Sequence, residues 1–156
     1  MTINLSRKAG SVPVQCTSGK PFDIHDYIGR WLILYFYPKD FTSGCSEEAK
    51  LFEARLGRIR DLNGEVVGVS TDTLESHLMF KRVNGLHFDL VADQDGELAL
   101  LYDALDPTSP SPRCRRVTYL ISPLGFAVKE YRHVNICIHA EELVNAISYI
   151  NGITKT

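Results

Sequence analysis

The sequence predicts an α/β fold, with a central mixed sheet flanked by helices and an insertion before a final β-hairpin. Three observations carry that prediction. Residues 31–37 (WLILYFY) form an unbroken apolar run rich in aromatics, as a central strand covered on both faces requires. Helix-type and strand-type periodicities alternate after it. Near the carboxyl end, two strand-type runs flank Ser122-Pro123-Leu124-Gly125, a hairpin signal, and an amphipathic segment follows.

The elements follow in order. Residues 46–62 read as a helix, because Ala49, Phe52, Leu56 and Ile59 recur at helical spacing while Arg55, Arg58 and Arg60 fall elsewhere. Asn63-Gly64 ends it. Residues 65–70 (EVVGVS) are a second buried strand, residues 73–83 a helix stopped by Asn84-Gly85, and residues 88–92 a short strand. A short helix is expected over 96–102, strands over 116–121 and 126–131, and a last helix from about 139 to 150 with Ala140, Leu143, Val144, Ile147 and Ile150 on one face. Residues 88–112, ending in the proline- and serine-rich Asp106-Pro107-Thr108-Ser109-Pro110-Ser111-Pro112, read as the insertion. This is the element order of a thioredoxin-like fold, and the whole of 1–156 is expected to form one domain.

The composition narrows the function. Of 156 residues, 44% are apolar and 23% charged, normal for a folded domain. A net charge of −2 argues against a general nucleic-acid or anionic-membrane binder. No apolar run approaches the roughly 20 residues of a spanning helix. The start, Met1 to Lys8, lacks the apolar core of a secretory signal, so a cytoplasmic location is expected. Cys16, Cys45, Cys114 and Cys137 follow no regular spacing, which disfavours a disulfide framework.

The chemistry gathers at Pro38-Lys39-Asp40-Phe41-Thr42-Ser43-Gly44-Cys45. This stretch lies between a buried strand and a helix, where ligands collect in open α/β sheets. First-turn N–H groups and the helix dipole favour an anion there, and a thiolate is the reactive form of cysteine. Cys45 is therefore read as reacting with an oxidant. Reduction of a peroxide needs a thiolate in line with the O–O bond and donors for the developing charge. The Thr42 hydroxyl is within reach of the sulfur or the peroxide, Gly44 allows close backbone approach, and Pro38 adds no N–H of its own. Lys39 is expected to point outward. The positive charge is assigned to Arg116, ahead of Arg113 and Arg115, since the sheet would bring its strand beside the first one.

These residues carry a resemblance. Pro38-x-x-x-Thr42-x-x-Cys45, preceded by Tyr35-Phe36-Tyr37, matches the peroxiredoxin active-site motif, and Arg116-Val117-Thr118-Tyr119-Leu120-Ile121 resembles the arginine-bearing strand of that family. Tyr37-Pro38-Lys39-Asp40, Cys45-x-x-Glu48-Ala49, Gly68-Val69-Ser70 and Asp93-x-Asp95-Gly96 are similar to the bacterioferritin-comigratory, or Q-type, group. The resemblance runs from about Gly29 to the last helix. It implies that Cys45 is the peroxidatic cysteine, that Pro38, Thr42 and Arg116 complete the site, and that Glu48 belongs to a supporting hydrogen-bond network. Two departures stand out. Many Q-type members carry a second cysteine five residues after the first, where this chain has Lys50; the usual Ala-Pro-x-Phe near the amino terminus is also missing.

The expected function is a thiol-dependent peroxidase acting on hydrogen peroxide and small organic hydroperoxides through a sulfenic acid on Cys45. A one-cysteine cycle is favoured, restored by a thioredoxin-like or small-thiol reductant. Cys114 is the internal alternative, and Cys16 and Cys137 are expected to pack. The chain is expected to work as a monomer or homodimer, and the chemistry calls on no metal, haem or flavin. His133-x-x-x-Cys137-x-His139 lacks a fourth ligand for a metal site. The rivals are a disulfide oxidoreductase, disfavoured because Thr42 stands where its first cysteine would be, and a non-enzymatic redox sensor.

Overall fold

The computed structural model describes residues 8–154. The stretch before Lys8, most of the segment read above for a secretory signal, lies outside them. Six strands form one sheet in the order β1-β4-β3-β2-β5-β6. They are β1 (Gln15–Cys16), β2 (Trp31–Phe36), β3 (Gly64–Ser70), β4 (Asp89–Ala92), β5 (Val117–Ile121) and β6 (Ala127–Tyr131). The helices are α1 (Ser43–Asp61), α2 (Leu74–Asn84), α3 (Glu97–Leu101) and α4 (Ile136–Thr154). β2, β3 and β4 run parallel, whereas β1, β5 and β6 join antiparallel to their neighbours, so the sheet is mixed as expected.

β2 shows why its sequence is apolar at every position. Trp31, Ile33 and Tyr35 face one core with α1, Phe80 of α2 and α4. Leu32, Leu34 and Phe36 face a second core with α3, Cys16, Phe22 and Ile24. The strand alternates, but both faces are covered. On α1, Ala49, Phe52, Leu56 and Ile59 are buried as the period predicts, and each large side chain contributes about 1.5–3 kcal/mol of transfer free energy. Asn63 ends that helix in the left-handed region at φ 64°. α2 opens on Thr73, whose hydroxyl accepts from the Ser76 N–H, and closes on Gly85 at φ 61°.

Several boundaries move. α1 begins at Ser43, which puts Cys45 inside its first turn. α4 begins at Ile136, three residues before the expected start, because the Asn135 side chain accepts from the Cys137 N–H. The segment before the hairpin supplies β4, which widens the sheet beyond β3, and the 106–112 loop lies at the surface. That loop is pinned: the Asp106 N–H donates to the Arg113 carbonyl at 2.8 Å, and Leu105 pairs with Cys114.

Candidate active site

The site lies where β2 stops. Pairing of Phe36 with Val117 sets Arg116 beside the loop that leads from β2 into α1. Arg116 Nη2 donates to Cys45 Sγ at 3.3 Å, and Nη1 donates to Glu48 Oε1 at 2.5 Å. One guanidinium thus spans two residues on adjacent turns of α1, a geometry suited to its planar fork. Cys45 is only 2% exposed. Its sulfur lies in the first turn of α1 and meets the Arg116 guanidinium there.

Glu48 is buried as well, and its carboxyl is pushed up to about 7. Burial is the main cause; attraction and hydrogen bonding from Arg116 pull the other way. Burial prevails because only one oxygen is satisfied: Oε1 takes Arg116, while Oε2 has no partner among the described residues. Gly44 completes the wall. A Cβ there would sit 3.5 Å from Arg116 Nη2 and 3.4 Å from Ile136 Cδ1, so α4 borders the site too.

Other expected residues fall differently. Lys39 is exposed, as expected, and Pro38 is half-buried. The Thr42 hydroxyl donates to the Lys39 carbonyl at 2.9 Å, not to sulfur, so it closes the loop and leaves its oxygen free to accept. Thr42 makes no side-chain cap on α1. Cys114, weighed above as a second thiol, is buried in the core on the opposite face of the sheet from Cys45. Burial pushes its thiol well up, with Asp93 and Asp72 adding to the effect. Cys16 is packed in that same core, whereas Cys137, also expected to pack, is exposed at the start of α4. His133 is exposed, while His139 is buried between Thr118 Oγ1 at 2.8 Å and Glu142 Oε1 at 2.9 Å.

Two buried polar side chains near the site had no role assigned from the sequence. Asp40, inside the motif loop, is 3% exposed, and His77 of α2 is fully buried against it, with His77 Nδ1 2.7 Å from Asp40 Oδ2. With Asp72 they form a group whose possible ligand atoms lie within 4.8 Å of one another. Both Asp40 oxygens and both His77 nitrogens are already engaged in hydrogen bonds.

The chain as a whole is similar to known proteins in sequence and in fold. The model of the AhpC/TSA family matches residues 5–129. The chain belongs to the AhpC/TSA family. Peroxiredoxin Bcp of Bacillus subtilis is 32% identical over 151 residues, which cover 94% of this chain and 96% of that protein. The crystal structure of a cysteine-to-serine variant of PrxQ from Xylella fastidiosa superposes with a TM-score of 0.90 at 31% identity, covering 97% of this chain and 99% of that one. A Xanthomonas campestris bacterioferritin comigratory protein, from work on its alkyl peroxide reduction, superposes with a TM-score of 0.82 at 31% identity, covering 88% and 90%. The chain is a peroxiredoxin with the thioredoxin-like fold, a thiol-dependent peroxidase. Among the described residues, no helix of this peroxiredoxin is long and apolar enough to cross a membrane.

Proposed function

We propose that Cys45 is the residue that attacks the peroxide, with Arg116, Thr42, Pro38 and Gly44 forming the pocket and Glu48 holding the arginine. The observation that carries this reading is the Arg116 fork, which touches Cys45 Sγ and Glu48 Oε1 at once. The Cys45 thiolate attacks the terminal oxygen of a hydroperoxide. An S–O bond forms, the O–O bond breaks, and the departing oxygen takes a proton to leave as water or an alcohol. Arg116 stabilises the charge that moves from sulfur to that oxygen. The Thr42 oxygen, free to accept, receives the hydroperoxide's proton in a hydrogen bond and so orients the substrate.

The sulfenic acid is then reduced by two thiol equivalents, which leave as a disulfide while its oxygen leaves as water. The substrates are hydrogen peroxide and small organic hydroperoxides, and the reductant is a thioredoxin-type protein or a small thiol. A one-cysteine cycle is supported by Lys50 in place of a nearby second thiol and by the burial of Cys16 and Cys114 on the other face of the sheet. Residues 1–156 work as one domain, as a monomer or homodimer in the cytoplasm, without nucleic acid or membrane. The cycle uses sulfur and oxygen alone and asks for no metal, haem or flavin.

The test is Cys45→Ser. Peroxide consumption with an added dithiol is expected to vanish while the circular dichroism spectrum is kept. Turnover at the wild-type rate in that variant would move the chemistry to another residue.

A further inference from the structure

We propose that His77 is a positioning residue: through its buried contact with Asp40 it holds the Cys45 loop in the shape that presents the thiol to peroxide. The inference rests on Cys45 being the reacting residue.

The loop has a conformation that needs holding. Phe41, between Asp40 and Thr42, sits at φ 63°, a left-handed backbone that a bulky side chain adopts only when its surroundings force it. What forces it is Asp40. Its main-chain N–H donates to Asp72 Oδ2 at 2.9 Å. Its Oδ1 accepts from the Tyr37 hydroxyl at 2.7 Å, and its Oδ2 accepts from Ser76 Oγ at 2.8 Å. His77 Nδ1 lies 2.7 Å from that same Oδ2, and the contact is closed to solvent. The Phe41 ring meets Phe80 edge-on, with centroids 5.2 Å apart. Ser76, His77 and Phe80 all meet the loop from α2, so this helix holds it at three points.

His77 is itself tied at both ends. Its Nε2 lies 2.9 Å from the Val91 carbonyl, which only accepts, so that nitrogen carries a proton. Its Nδ1 is joined by a hydrogen bond to the Asp40 carboxyl. The ring therefore links β4 to the loop five residues before Cys45. A buried polar group fully engaged in this way has one arrangement open to it, and it imposes that arrangement on its neighbours. The consequence is rate, because a displacement of about 1 Å at a reacting group costs up to a hundredfold.

The two ring nitrogens can be tested separately. An asparagine amide nitrogen stands where Nδ1 stands, and a glutamine amide nitrogen reaches toward Nε2. His77→Asn keeps a donor to Asp40, and His77→Gln keeps a donor to Val91. The expected result is that His77→Gln slows the first oxidation of Cys45 by hydrogen peroxide on the order of tenfold, with His77→Asn within about threefold of wild type. Amide exchange over residues 40–45 should accelerate in His77→Gln while β2 and β3 stay protected. Equal loss in both variants, a greater loss in His77→Asn, or an unchanged rate in His77→Gln overturns the proposal.

Ser76→Ala removes one donor from the same Asp40 oxygen at a half-buried position and keeps the test open if the His77 variants do not fold. Faster exchange over 40–45 with slower Cys45 oxidation supports the proposal; no change in either overturns it. A wild-type Cys45 that peroxide does not oxidise would instead sink the underlying assignment, a result separable from any of these.

Discussion

At the residue scale, the role proposed for Arg116 depends on shape as well as charge. The Arg116 guanidinium reaches sulfur with one nitrogen and Glu48 with another, and an ammonium on a flexible stem cannot copy that fork. Arg116→Lys is therefore expected to slow Cys45 oxidation about tenfold or more, roughly 1.4 kcal/mol of transition-state stabilisation. Stopped-flow measurement with hydrogen peroxide checks it, and a wild-type rate constant would shift the role to Arg115 or Arg113. Glu48 gives a pH signature. Its carboxyl is raised from 4.5 to about 7, so the folded protein holds a proton that the unfolded chain has released across that interval. The stabilisation is fully present below about pH 4.5 and is lost as pH rises through about 7. Glu48→Gln removes it, so wild type should lose stability relative to the variant between those values, by about 3 kcal/mol at most, and run parallel above them. Urea titrations across that pH range decide it. Cys45, Arg116 and Glu48 were legible because a motif and a strand start marked them. Asp40 and His77 were not, since they lie 37 residues apart in sequence and a charged loop residue reads as surface until the fold closes over it.

At the element scale, the reliable signal was continuous periodicity. The full α1 period and the unbroken β2 run each identified an element to within a few residues. β1 has two residues and a 3-10 turn covers only Ile24–Tyr27, lengths at which no period exists to be read. α4 starts early because its capping information sits in Asn135, outside the apolar stripe that marks the helix. β3 also carries a constraint that hydropathy hides. A Cβ on Gly68 would lie 2.8 Å from Leu90 Cδ2 and 2.9 Å from Tyr35 Cζ, inside van der Waals contact with both neighbouring strands. Gly68→Ala should destabilise the fold by about 1–3 kcal/mol through overpacking. For a chain of this size that is a fall of roughly 2–12 °C in thermal midpoint. An unchanged midpoint would mean that the Tyr35 ring moves aside without cost.

For the whole molecule, the sheet sorts the cysteines. It separates a core containing Cys45, α1 and α4 from one containing Cys16 and Cys114. A disulfide needs Cα atoms within about 7 Å, and side chains on opposite faces of a sheet point away from each other. Cys45 therefore cannot reach Cys16 or Cys114 while the sheet stands. Cys137 is the exception to test. It is exposed, and its neighbour Ile136 reaches toward Gly44 on the Cys45 side of the sheet. Both thiols, however, sit in first helical turns, and Cys45 is enclosed, so joining them requires α1 to unwind. One equivalent of hydrogen peroxide should thus raise the intact mass by one oxygen, the mark of a persistent sulfenic acid. Cys137→Ser should leave both that product and turnover with a dithiol unchanged. A loss of two hydrogens in wild type that disappears in Cys137→Ser would replace the one-cysteine cycle with an internal disulfide between α1 and α4.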